Sequence, residues 1–273
     1  MTTRLTRTLV AGAGLVLAAT LSGCGSDSGD GDNGDTGTGT GSSGGAVQTL
    51  EEGTLKVCSD VPYVPFDILE GDTFTGFDGD LVTEIAKGLG LELQAQDSGF
   101  DGLQSGLSLN SGQCDLVASA MTITEDRQKK LDFTDGYYDS KQSLLVPTGS
   151  DIASIDDLAG KKVGVQQGTT GKSYTEENAP EGTDIISFPQ DSDMYNAIKA
   201  GQVDALLQDF PVNYGHEQDG GFKIVEDYDT GEEYGFAVKK GNTDLRDAIN
   251  EQLQELRDSG TYDEIYNEYF PKN

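Results

Sequence analysis

The sequence predicts an α/β fold of two lobes, each a mostly parallel sheet flanked by helices, on three observations. From Thr54 onward short β-type runs alternate with amphipathic helical runs. A second such series begins after Leu144, and the chain closes with two helical runs. Alternating strands and helices point to parallel strands in α/β layers. Two βα series with a helical return suggest two lobes joined by more than one crossing.

Leu55–Ser59 reads as the first strand. Asp78 is placed to cap a helix whose Leu81, Ile85 and Leu89 recur at i, i+4 and i+8, with Gly88 and Gly90 ending it. Leu91–Gln96 reads as a second strand, Gly102–Leu109 as a short helix and Asp115–Ser119 as a third strand. Thr124 opens a further helix, with Glu125 and Asp126 in the first turn where the helix dipole favours acids. In the second series Ser154 and Asp157 resemble a capping box. Val163–Gln166 is a strand before the turn Gly168-Thr169-Thr170, and Ile185–Phe188 is another. A helix carrying Met194 and Ile198 and a strand over Val203–Gln208 complete the series. Leu245, Ile249, Leu253 and Leu256 share one helical face, and an aromatic helix runs from Tyr262 to Phe270. Ligands of such folds bind beyond the carboxyl ends of the strands, which singles out Asp60, Ser119, Gln166 and Asp209.

Composition narrows the function. Among 273 residues, 48 are Asp or Glu against 18 Lys or Arg, a net charge of −30. Nucleic-acid binding is driven by basic patches, so such a partner is excluded. One His and three Cys are too few soft ligands for a zinc or haem centre, and no cofactor or metal is expected. The one continuous apolar run, Leu9–Leu21, is shorter than the roughly 20 residues of a bilayer span. Preceded by Arg4 and Arg7, it has the form of a signal peptide over residues 1–23. It closes on Leu21-Ser22-Gly23-Cys24, which resembles a bacterial lipobox, so Cys24 is expected to carry the lipid. Two acyl chains suffice for stable anchoring. Residues 25–46, almost all Gly, Ser, Thr and Asp, have nothing to bury, and residues 24–49 are expected to form the lipidated Cys and a flexible tether.

Several blocks then appear in order: Asp60-Val61-Pro62-Tyr63-Val64-Pro65-Phe66, Gly76-Phe77-Asp78-Gly79-Asp80-Leu81, and Asp115 through Ala118-Ser119-Ala120-Met121-Thr122 to Arg127. Later come Asp132-Phe133-Thr134-Asp135-Gly136-Tyr137-Tyr138, Val163 through Gln166 to Thr170, and Val203 through Gln208 to Asp209. Over about residues 50–273 this resembles family 3 of the extracellular solute-binding proteins, the amino-acid receptors of ABC importers. The resemblance implies a periplasmic-binding-protein (flytrap) fold with lobes 50–136 plus 236–273 and 142–231. Its hinge crossings would lie at 137–141 and 232–235.

An α-amino acid is a zwitterion, and its receptor needs a cation for the carboxylate and an anion for the ammonium. Arg127 matches the family arginine, whose planar guanidinium binds a carboxylate bidentately, and Asp209 matches the carboxylate that receives the ammonium. Thr122 and Thr170 match positions that add hydroxyl or backbone hydrogen bonds to the carboxylate. Ser119 and Ala120 match backbone contacts, Tyr63 and Phe100 the aromatic pair around the ligand, and Asp60 a side-chain contact. Phe66 reads as a supporting core residue. The family's glutamine receptor has Lys where this chain has Gln166 and His where it has Gln208. These neutral amides disfavour an acidic ligand, leaving a glutamine-like or basic one. With Cys24 lipidated, Cys58 and Cys114 are an even pair in an exported chain, which suggests a disulfide on strands that the resemblance makes neighbours.

Other motifs fail. The run from Gly168 to Ser173 ends like a phosphate loop but has Gln166 where the first glycine is required. His216 has no Cys or Ser arrangement for nucleophilic catalysis and reads as a surface residue. The expectation is a monomeric, non-enzymatic lipoprotein on the outer face of a bacterial cell membrane, delivering an amino acid to an ABC permease. The alternative is an enzyme on the same fold, resembling cyclohexadienyl dehydratases that process prephenate or arogenate.

Overall fold

A computed structural model describes residues 47–271. The expected signal segment, the expected lipidation site at Cys24 and the expected tether to residue 46 lie outside the described residues. Among the described residues no helix is long and apolar enough to cross a membrane.

The first series starts with β1 (Thr54–Ser59), the hairpin β2 (Ile68–Glu70) and β3 (Thr73–Thr75), α1 (Phe77–Gly88) and β4 (Glu92–Asp97). It continues through α2 (Phe100–Gln104), α3 (Leu107–Asn110), β5 (Leu116–Val117), α4 (Glu125–Gln128) and β6 (Leu131–Phe133). A long strand, β7 (Tyr138–Pro147), leads into the second series: β8 (Lys162–Gln166), α5 (Thr170–Asn178), β9 (Asp184–Phe188), α6 (Asp191–Lys199), β10 (Ala205–Asp209) and α7 (Phe210–Gln218). The chain returns through β11 (Phe222–Tyr234) to β12 (Ala237–Lys239), α8 (Thr243–Ser259) and α9 (Thr261–Tyr269).

Two five-stranded sheets result, ordered β4-β1-β5-β12-β6 and β11-β7-β10-β8-β9. Each has a parallel part, β4-β1-β5 or β10-β8-β9. Each also has an antiparallel part made by the strands that travel between the lobes or return from them. The sheets are therefore mixed, because strands arriving by a crossing enter in the opposite sense. β7 and β11 run side by side where they cross, with Tyr138 opposite Tyr234, Asp139 opposite Glu233 and Ser140 opposite Glu232.

Apolar residues on both faces of each sheet build the cores. Leu55 and Val57 of β1 pack with Phe66, Phe77, Leu81 and Ile85 on one face, and Cys58 with Leu103, Val117 and Met121 on the other. In the second lobe Val163, Val165 and Leu207 share a cluster opposite the one formed by Met194, Ile198 and Leu206. The apolar face of α8 is buried through Leu245, Ile249 and Leu253. The aromatic α9 brings Tyr262 and Tyr266 against Phe77, with ring centroids 5.9 and 5.8 Å apart, and Phe270 beyond it against Tyr138 at 4.8 Å. The crossing strands are thus braced by the C-terminal return.

Local expectations are revised at three points. The N-cap of α1 is Gly76, not Asp78. Its φ of +94° suits glycine, and a Cβ there would lie 2.3 Å from the Phe66 carbonyl oxygen. The expected helix over Gly102–Leu109 is broken in two at Gly106, whose φ of +79° lies in the left-handed region. His216 is not a free surface residue: its imidazole sits 3.0 Å from the Asp191 carboxylate and stacks on Tyr195 at 3.7 Å. A capping box at Ser154 and Asp157 does form, opening a single 3₁₀ turn.

Candidate functional site

Four strand ends converge between the lobes. Asp60 follows β1, Ser119 and Ala120 follow β5, Gln166 ends β8 and Asp209 ends β10. With Tyr63, Phe100, Thr122, Arg127, Thr169 and Thr170 they line one cavity of about 20 Å³. Ten of the eleven residues singled out from the sequence therefore meet there. Gln208 does not. Successive side chains of a strand point to opposite faces, so with Asp209 turned to the cavity Gln208 turns away. Its Nε2 donates to Asp191 at 2.9 Å and to Asn213 at 3.0 Å. Thr169 is the addition; it caps α5 by accepting the Lys172 N–H at 3.2 Å.

The polar groups of the wall are paired across the cleft. Tyr63 donates its hydroxyl proton to Asp209 Oδ2 at 2.6 Å. Gln166 Nε2 donates to Asp60 Oδ2, and Gln190 Nε2 donates to Asp60 Oδ1 at 3.3 Å. Arg127 donates from Nη1 to the Thr122 carbonyl at 2.7 Å and from Nη2 to the Gly168 carbonyl at 3.0 Å, with its guanidinium 5.2 Å from the Phe100 ring centre. The lobes are closed on one another. Hydrogen bonds between the lobes line the cavity on both sides.

The wall also holds buried charge of both signs. Arg127 is 5% exposed, and among the described residues no carboxylate comes within 4.0 Å of it. Burial lowers its pKa to about 10, so it stays protonated at neutral pH. Burial, followed by the Glu232 charge, pushes Asp209 up to about 6. Burial likewise pushes Asp60 up to about 6, against hydrogen bonds from Gln190 and Gln166. The cavity thus presents an isolated cation at one place and raised carboxylates at others.

Ala120 shapes the wall through its backbone. Its φ of +43° is unusual for a residue with a Cβ. The conformation is held by Asp78, whose Oδ2 accepts the Ala120 N–H at 2.8 Å while Tyr137 donates its hydroxyl to the same carboxylate at 2.7 Å. Asp78 is therefore the buried brace of the cavity wall and not a helix cap. Cys58 of β1 and Cys114, just before β5, stand as a bonded pair with Cα atoms 5.8 Å apart.

The sequence profile of the bacterial extracellular solute-binding proteins, family 3, matches residues 55–272. The chain belongs to that family. It is 37% identical over 201 residues to the ABC transporter glutamine-binding protein GlnH of Bacillus subtilis strain 168, covering 72% of this chain and 73% of that protein. Among solved structures, an ancestral arginine-binding protein bound to glutamine is 39% identical, with a TM-score of 0.77 over 81% of this chain and all of that one. An ancestral amino-acid-binding protein described as a precursor of cyclohexadienyl dehydratase is 34% identical. Its TM-score is 0.72 over 80% of this chain and 95% of that one. For this family-3 chain the two-lobed fold and the cleft between the lobes are those of solute-binding proteins.

Two residues behind the wall, Gln142 and Glu232, escaped the sequence reading. Gln142 Nε2 donates to Asp209 Oδ1 at 2.6 Å. Glu232 lies in the acid-rich run from Glu226 to Glu233 and reads as part of a solvated edge. The available signal was period two: Thr230, Glu232 and Tyr234 alternate with the exposed Asp229, Gly231 and Glu233.

Proposed function

We propose that this chain is the substrate-binding component of an ABC importer, and that it captures a polar amino acid, glutamine-like or basic, between its closing lobes. The observation that carries this reading is the opposed charge in one cavity. Arg127, buried without a carboxylate partner, suits an α-carboxylate, and Asp209 suits an α-ammonium. A ligand that touches both lobes favours the closed state by its differential affinity for it. Asp60, Gln166 and Gln190 lie together and suit the side chain: the carboxylate accepts from an amide NH₂ or a guanidinium, and the amides donate and accept. Cys24 would tether the domain to the outer face of the cell membrane, and a permease there would receive the amino acid.

The dehydratase reading finds less support. The relatives described by name above are binding proteins, the precursor of the dehydratase included. Calorimetric titration with the common amino acids, ornithine and cystine tests the proposal. Binding of glutamine, arginine or lysine is expected, whereas turnover of prephenate or arogenate by the purified chain would replace it with an enzymatic one.

A further inference from the structure

Glu232 comes from β11 where the returning chain meets both lobes, and it is nine-tenths buried. Its Oε2 accepts the hydroxyl protons of Thr122 and Thr170, each at 2.7 Å. Its Oε1 accepts from the Thr230 hydroxyl at 2.9 Å, and Gln142 Nε2 lies 3.1 and 3.2 Å from the two oxygens. Every polar neighbour of this head is a donor, and an ionised carboxylate only accepts. Thr122 precedes α4 on the first-lobe side and Thr170 opens α5 on the second. One carboxylate therefore gathers a hydroxyl from each lobe, and both threonines line the cavity.

A hydroxyl has one proton and two lone pairs. With the proton committed to Glu232, each threonine has only lone pairs left to offer the cavity, and Thr170 already shares one with Gln142 Nε2 at 3.4 Å. Such a pair accepts from a cationic group and cannot donate to an anion. The donors left for an α-carboxylate are Arg127 and backbone N–H groups. Gln142 extends the arrangement, since the same Nε2 that meets Glu232 also donates to Asp209. We propose that Glu232 is a positioning residue for ligand binding, which ties Thr122 to Thr170 across the cleft and fixes their hydroxyls as acceptors for the α-ammonium end. This role rests on the amino-acid reading of the cavity.

Glu232→Gln keeps the size of the head but adds an NH₂ that meets donors on either side. Turned toward the threonines, it makes their hydroxyls accept from it and donate into the cavity, reversing their polarity. The test is calorimetric titration of the full chain with L-glutamine and L-arginine, in wild type, Glu232→Gln, Thr170→Val and the double variant, with thermal melts alongside. Glu232→Gln is expected to weaken the better-bound probe at least about tenfold in a folded protein, the scale of a lost charge-assisted contact. The double variant should lose no more than about threefold beyond the worse single one, because Glu232→Gln already disturbs the Thr170 hydroxyl that Thr170→Val removes. A smaller loss in Glu232→Gln, or penalties that multiply in the double variant, overturns this role and leaves the amino-acid reading intact. A wild-type chain that binds neither probe, and not L-lysine either, overturns both. If Glu232→Gln does not fold, Thr122→Val and Thr170→Val carry the test, and unchanged binding in both overturns the role.

Discussion

The Tyr63 hydroxyl and the Asp209 carboxylate, 2.6 Å apart, join the two lobes directly. Tyr63 follows β1 of the first sheet, and Asp209 ends β10 of the second. The bond supplies Asp209 with a hydroxyl donor, whose place an α-ammonium would take on the proposed reading of the site. Gln166 and Asp60 likewise pair across the cleft. The site is built of groups that satisfy each other when the lobes meet.

Replacing Asp209 or Arg127 by Ala should leave one pole of the zwitterion desolvated and unpaired. Truncating one partner of a buried charge pair costs about 2–5 kcal/mol, a loss of roughly 30- to 5000-fold in affinity. Calorimetry measures it. Binding by Arg127→Ala within about threefold of wild type, in a folded protein, would remove the α-carboxylate assignment.

Asp60→Ala is expected to change the ranking among amino acids more than the affinity for all of them. The carboxylate lies with the amides of Gln166 and Gln190, apart from the Arg127 contacts. Arginine and lysine should lose more than glutamine when the three are titrated in parallel. An equal loss for all three would place Asp60 outside side-chain recognition.

Stability and affinity should respond to pH with opposite signs. Burial raises Asp60 and Asp209 to about 6 and Asp78 to about 7, against an ordinary 3.8. Between these values the folded chain binds more protons than the unfolded one, so stability falls as pH rises through the window. The melting temperature of the protein alone should be higher at pH 5 than at pH 7.5. Affinity for an α-ammonium needs Asp209 ionised, and it should fall below pH 6 by up to about tenfold per pH unit. Melts and titrations across that range check both trends, and a melting temperature that rises with pH contradicts the first.

Cys58 and Cys114 close a loop with a sequence separation of 56. A crosslink of that span contributes about 4 kcal/mol by loop-closure entropy. Reduction, or Cys58→Ser with Cys114→Ser, should therefore lower the melting temperature markedly. Thiol labelling in denaturant without reductant should find neither cysteine free.

Elements whose pattern is local were legible. The spacing of Leu245, Ile249 and Leu253 gave α8, and the short β-type runs gave β1, β8 and β10. Those strands fixed which residues stand at carboxyl ends, and the blocks around Arg127 and Asp209 identified the family. Other features depend on partners distant in sequence. Gln208 and Asp209 are equally polar neighbours, and only the pairing of β10 with β7 and β8 decides which one faces the cavity. Asp78 has the spacing of a helix cap, yet it braces Ala120 because α1 packs beneath the end of β5. Glu232 belongs to a stretch of acids that would stand in solvent if it were alone. The antiparallel register of β11 on β7 turns it inward, to the threonines of both lobes. The sequence by itself determined the helices and strands with a clear local pattern and the chemical groups they carry, because periodicity and side-chain chemistry are local; the crossing strands β7 and β11 were not among them. Which groups meet is decided by register and by packing across the two lobes, and that information exists only in the folded chain.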